Sequence, residues 1–192
     1  MQIIKKDCEN TIETLWQTQE CNPNGEPFMS IKKSRDYYVY AQRAGRDSIA
    51  FVLYDSHIEK FGLIKEGKPP LDTEAYRAFL ITAFSGSIDM DLSPQEICQI
   101  EVAEEAGYEV PLERITSVGE TLVSTQMSQI CQLFVVDITG IHKTLTAEWE
   151  ESETLEQGEV RLIWMSREEV MANMDWKSVF VVGQMAYIEK KQ

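Results

Sequence analysis

The sequence predicts an α+β fold: one packed domain over residues 46–192, preceded by an N-terminal β extension over residues 1–45. Three observations lead there. A chain of 192 residues is long enough for one full core and too short for two. Short apolar or alternating runs rich in β-branched and aromatic residues recur along it, which is the pattern of strands. Between and after them stand two sequences that open helices, Ser93-Pro94-Gln95-Glu96 and Ser166-Arg167-Glu168-Glu169, each with a serine where the first turn needs a cap.

In the extension, Thr11 to Glu20 is ambiguous and Cys21 to Pro27 is rich in turn formers, whereas Tyr37-Tyr38-Val39-Tyr40 reads as a strand. A small sheet is expected there, and its tyrosines either pack or offer a stacking face to a base. Ser48 to Tyr54 is a continuous apolar run bounded by charge, as in a strand buried on both faces. Ile58 to Lys65 alternates and should pair with it across the turn Asp55-Ser56-His57. Gly67-Lys68-Pro69-Pro70 breaks the pattern, and Ala78 to Phe84 resumes it as one strand leading to Gly86. Ile115 to Leu122 and Ile130 to Asp137 then read as two strands joined by a loop over 123–129, and Val160 to Met165 as the last strand. Ser166 opens a helix to about Asn173. A final helix, Lys177 to Lys190, is apolar on more than one face, with Gly183 as its weak point.

Composition narrows the function classes. The hydrophobic fraction is 43% and the charged fraction 26%, ordinary for a globular protein. The net charge of −14 comes from 18 basic and 32 acidic residues, and it opposes binding to long nucleic acids or anionic membranes, which depends on a surplus of Lys and Arg. Six glutamates crowd the stretch Glu148 to Glu159. Cys8, Cys21, Cys98 and Cys131 lack metal or redox spacing and read as reduced thiols. With no apolar run of membrane-spanning length and a charged start, the chain is expected to be soluble and cytoplasmic.

The candidate chemistry lies between Gly86 and Tyr108, a loop running into a helix that carries Glu101, Glu104 and Glu105 and stops at Gly107. On an α-helix Glu101 and Glu105 stand one turn apart on one face, with Glu104 about 60° from Glu101. Like charges at this spacing repel, and the macrodipole disfavours anions in a last turn, so a bound cation would explain the cluster. Oxygen ligands with no Cys or His beside them suit Mg²⁺ or Mn²⁺. A solvated acidic helix end is the plain alternative.

This stretch resembles the Nudix box, G-x5-E-x7-R-E-U-x-E-E-x-G-U, with Gly86, Glu101, Glu104, Glu105 and Gly107-Tyr108 in their motif places. Leu92 stands where the family has Glu, and Ile100 where it has Arg. In the family these two side chains pair, so their joint loss looks like exchange of an ion pair for an apolar contact, which is often neutral for stability. The order of strands, the proline-broken loop and the stretch from Glu156 to Val170 resemble the ADP-ribose pyrophosphatase branch, from about residue 35 to the C-terminus.

The resemblance implies an α/β/α sandwich with a mixed sheet between helices, and Mg²⁺-dependent hydrolysis of a nucleoside diphosphate linked to another moiety. It assigns Glu101, Glu104 and Glu105 to the metal, with the carbonyl of Ser85 as a further oxygen. Glu156 is the matching base on the late acidic loop, with Glu151, Glu153 and Glu159 as competitors. Lys68, Gly86 and Gln129 match substrate-binding positions, Gln129 where the branch has a carboxylate. ADP-ribose or a nucleotide sugar is the implied substrate, and a homodimer that shares its sites through the N-terminal region is the implied assembly. Two other readings stay open: a Nudix-fold module that binds a nucleotide without cutting it, and an enzyme acting on a cap or on NADH.

Overall fold

The structure, a computed structural model, describes residues 12–22, 25–34, 36–44, 47–67, 79–147, 150 and 161–190. The chain divides into two compact units, the first comprising the described residues of Met1–Arg46 together with Leu122–Ile130, the second Asp47–Thr121 with Cys131–Gln192.

The first unit is built on an antiparallel meander of β1 (Glu13–Gln17), β2 (Met29–Lys33) and β3 (Val39–Arg43). The ambiguous stretch after Thr11 is therefore a strand, and its register slips between Thr14 and Trp16, where Leu15 is the extra residue of a bulge. The remainder of the unit is the tip of a hairpin between β8 (Ile115–Ser124) and β9 (Met127–Asp137). That tip meets β3 through a parallel contact of Ala41 with Met127, a bond from Ala41 N to the Gln126 carbonyl, and the Tyr38 hydroxyl on the Thr125 carbonyl. The loop expected over 123–129 does not exist. The strands continue to a tight turn at Thr125-Gln126, where Ser124 Oγ accepts from Gln126 N, so Ser128 and Gln129 belong to β9.

The second unit is organised around β4 (Ser48–Asp55), apolar from Ile49 to Leu53. Its residues from Ser48 to Leu53 are all buried, so every backbone group along it needs a partner. On one edge it pairs in parallel with β9, from Ser48 opposite Cys131 to Tyr54 opposite Asp137. The other edge is divided. Its C-terminal end, Leu53 to Asp55, pairs with β5 (Lys60–Gly67), and its N-terminal end, Ser48 to Phe51, pairs with β7 (Phe84–Ser87). β6 (Phe79–Thr82) pairs with the far end of β5, and β10 (Arg161–Met165) closes the other side of β5.

The single strand expected over Ala78 to Phe84 is thus two, β6 along β5 and β7 along β4, with Ala83 at the switch. A chain that changes neighbours leaves an N–H without a ladder partner. The Ala83 N–H is taken by Asp175 Oδ2 at 2.9 Å.

Alternate residues of β4 serve opposite faces. Ile49, Phe51 and Leu53 join a core cluster with Phe84, Ile97 and Val102, in which the Phe51 and Phe84 rings stack at 5.0 Å. Helix α1 (Pro94–Glu101) supplies Ile97 and Cys98 to this cluster. Ala50 and Val52 are equally buried on the opposite side, and helix α3 (Trp176–Glu189), which packs on β4, buries Val181 and Val182. Each such side chain contributes about 1.5–3 kcal/mol when fully buried. Gly183 does not interrupt α3. Helix α2 (Arg167–Met171) opens on the expected capping box, Ser166 Oγ accepting from Glu169 N. Among the described residues no helix is long and apolar enough to cross a membrane.

Asp175 caps α3 through Ser178 N at 3.1 Å with the same oxygen that receives Ala83 N–H, so one carboxylate ties the helix start to the strand switch. Asp175→Ala should remove both hydrogen bonds and cost about 1–3 kcal/mol, read as a lower urea midpoint at unchanged slope. Asp175→Asn, which keeps an oxygen in place, should recover most of that loss. Equal losses in the two variants would show that the shared acceptor is not what matters.

Candidate functional site

β7 ends in Ser85, Gly86 and Ser87, paired with Ala50, Ile49 and Ser48 of the buried strand. Pairing with β4 fixes the backbone of this stretch. The chain then leaves the sheet, held by Ile88 N on the Asp47 carbonyl, and enters α1 at Ser93. There the serine side chain accepts from Glu96 N at 3.3 Å, and the Glu96 carboxylate accepts from Ser93 N at 2.8 Å, a full capping box with Pro94 in the first turn. Hydrogen bonds from Ser93 hold the Glu96 carboxyl below the usual carboxylate range.

Glu101 closes α1, and its side chain lies directly on Gly86. A Cβ at residue 86 would fall 2.0 Å from Glu101 Oε1 and 2.2 Å from Cδ. Glycine leaves room for that carboxylate, and any larger residue would have to displace it.

The helix does not continue as an α-helix through the other two glutamates. Val102–Ala106 form a π-helical turn that ends at Gly107, whose φ of 77° is left-handed and whose N–H reaches both the Ala103 and Val102 carbonyls. The glycine stop is where the sequence places it. An i→i+5 turn advances each residue by less than the roughly 100° of an α-helix. Glu105 therefore stays near the azimuth of Glu101 while Glu104 swings farther away. Burial agrees, Glu101 and Glu105 being half-buried and Glu104 exposed. The three-way convergence expected from α-helical spacing is not formed: among the described residues no group of three or more His, Cys, Asp or Glu side chains is placed to hold a metal ion.

The remaining candidates fall in different places. Ser85 is exposed beside Gly86. Gln129 belongs to the first unit, buried in β9. Lys68 and Glu156, with Glu151, Glu153 and Glu159, lie outside the described residues. Tyr37, at φ 63° and 78% exposed, sits in the turn before β3, beneath Lys33 Nζ at 4.8 Å from its ring centroid.

Neither Leu92 nor Ile100 is sealed in the core. Leu92 is 41% exposed, and Ile100 lines a depression of about 400 Å³ with Gln99, Ala103, Glu109, Val110 and Pro111. What holds α1 to the loop after it is a pair of glutamines. Gln95 Nε2 donates to the Leu112 and Ile115 carbonyls at 2.8 Å, and Gln99 Nε2 to the Val110 carbonyl at 2.7 Å. Their i,i+4 spacing is the only trace of this in the sequence.

The Gly86 contact yields a test. Gly86→Ala should destabilise by about 1–3 kcal/mol through overpacking against Glu101. Adding Glu101→Ala should recover part of it, giving a coupling of at least about 0.5 kcal/mol in urea melts. Strict additivity of the two changes would overturn the close approach.

No family model matches the sequence, and no curated protein matches it. Among solved structures, the fold is similar to that of an ADP compounds hydrolase, with a TM-score of 0.65 over 94% of this chain and 92% of that one, at 13% identity. The chain has a Nudix-like α+β fold, a mixed curled sheet with few helices.

Proposed function

We propose that the protein hydrolyses a nucleoside diphosphate linked to a second moiety, cutting the pyrophosphate to give a nucleoside monophosphate and a phosphorylated product. ADP-ribose or a nucleotide sugar is the substrate class we favour. One observation carries the reading: the Glu101 carboxylate is seated on Gly86 at the end of a buried sheet, with Glu105 half-buried near the same azimuth one turn on. The likeness in fold to an ADP compounds hydrolase supports it.

The donor set fits Mg²⁺, with Mn²⁺ as a substitute. Such ions are held by one or two carboxylates and complete their octahedron with water and substrate phosphates, so two glutamates suffice where a three-carboxylate cage does not form. Glu101 and Glu105 would be direct ligands, Glu104 would act through water, and the Ser85 carbonyl would add an oxygen. When bound, the cation neutralises phosphate charge and makes the attacking water more acidic.

The chain's own residues do the rest. Gly86, having no side chain, leaves the Glu101 carboxylate its place beside the sheet. Glu156 is proposed to take the proton of the attacking water, Lys68 to pair with a phosphate, and Gln129 to contact the substrate as an amide. The assembly proposed is a homodimer through the N-terminal extension. All five residues of β1 are exposed, including Trp16 at 55%, an unusual state for an edge strand that stands alone.

The departures at Leu92 and Ile100 favour one other reading, a module that binds the nucleotide without cutting it. A panel of ADP-ribose, a UDP-sugar, NADH and a cap dinucleotide, assayed with Mg²⁺ for release of monophosphate, separates the two. Turnover of at least one compound is expected, falling about a hundredfold or more in Glu105→Gln. Binding without turnover by any compound, with Mg²⁺ or Mn²⁺, would establish the module instead. Light scattering after gel filtration should give the mass of a dimer; a monomer at micromolar concentration would end the assembly proposal.

A further inference from the structure

The π turn that places Glu105 ends at Gly107, and a segment far along the chain grips that glycine. The Gly107 carbonyl accepts from both Thr144 N at 3.2 Å and Leu145 N at 3.1 Å. A Cβ at Gly107 would lie 2.4 Å from the Leu145 carbonyl oxygen and 2.5 Å from Lys143 Cε, so backbone and lysine stem are both pressed on its Cα. Thr144 Oγ1 also donates to Glu109 Oε2 at 2.9 Å, two residues past the turn.

The gripping segment is itself closed into a ring. Lys143 Nζ meets Glu150 Oε2 at 2.6 Å, and that oxygen also accepts from Ala147 N at 3.0 Å. Glu150 N returns a bond to the Ala147 carbonyl at 2.8 Å, and Ala147 is fully buried. About a third of each charged side chain is exposed, so water screens the pair incompletely.

We infer that Lys143 and Glu150 are positioning residues for the metal-binding face of the glutamate helix, acting through Gly107. The Gly107 N–H already stands between an i→i+4 and an i→i+5 acceptor, Ala103 and Val102. Such a turn has two arrangements close in energy, and the one adopted is decided by what holds its end. With its carbonyl pinned by residues 144 and 145, Gly107 stays where the wider turn delivers it. Released, the end can tighten to α-helical spacing and carry Glu104 and Glu105 to new azimuths relative to Glu101. The clasp between Lys143 and Glu150 keeps the pinning segment in shape. This inference rests on the metal reading of Glu101 and Glu105.

The test is Mn²⁺ affinity, followed by electron paramagnetic resonance on the full chain, beside the urea midpoint of each variant. Lys143→Met and the milder Glu150→Gln should each weaken Mn²⁺ binding about tenfold, the size of effect seen when groups behind metal ligands are removed. Lys143→Arg, which can still reach the carboxylate, should restore most of the affinity. If Lys143→Met does not fold, Glu150→Gln carries the test alone. Wild-type protein that binds no Mn²⁺ would overturn the metal reading and this inference with it. Wild-type binding that both variants match would overturn only the clasp, as would a loss that Lys143→Arg fails to restore.

Discussion

The second unit depends on the burial of β4. Six consecutive residues, Ser48 to Leu53, are sealed from water on both faces, which leaves no solvent to satisfy a stray backbone group. One edge is met by a single parallel partner, β9, but the other is shared, β5 taking the C-terminal end and β7 the N-terminal end. That division sets the backbone of the candidate site: it makes the chain change neighbours at Ala83, brings Gly86 opposite Ile49, and starts the loop to α1 beside the N-terminal end of β4. The Glu101 carboxylate thus lies against a stretch of backbone fixed by sheet pairing.

A helix that ends in glutamates works against its own dipole and its own like charges. The structure relieves part of this by geometry, since the wider turn separates Glu104 from the pair formed by Glu101 and Glu105. The last turn itself contributes no basic residue. Burial together with the charge of Glu101 raises the pKa of Cys98, one turn earlier, so this thiol stays protonated and serves as a small apolar filler in the core.

Much of this was legible in the residues, and the reasons are local ones. The unbroken run Ser48 to Tyr54 fits a strand buried on both sides, and it is β4. Ser93 and Ser166 announce helices because a capping box is short-range chemistry that needs no tertiary partner. Gly107 marks a stop because a left-handed residue is intrinsic to it. The misreadings have the opposite character. Val123 to Gln129 looks polar enough for a loop, yet sheet pairing overrides that weak preference and leaves only Thr125-Gln126 as the turn. The break at Ala83 leaves no mark in sequence, because its cause is an acceptor 92 residues away. The π turn is equally silent, since whether a turn closes at i+4 or i+5 is settled by what holds Gly107.

The two positions that differ from the Nudix-box pattern leave open what fastens α1 to its surroundings, and the structure answers with backbone contacts. An ion pair between loop and helix acts at one point, and Leu92 and Ile100 no longer supply it. Gln95 and Gln99 fasten α1 to three backbone carbonyls between Val110 and Ile115. Backbone acceptors are present whatever side chains surround them, so a brace built on them asks little of the rest of the sequence. The same holds for Gly86, where the requirement is the absence of a Cβ, and for Gly107, where it is a sign of φ. A site held by two glycines, two glutamines and backbone carbonyls constrains few residue identities.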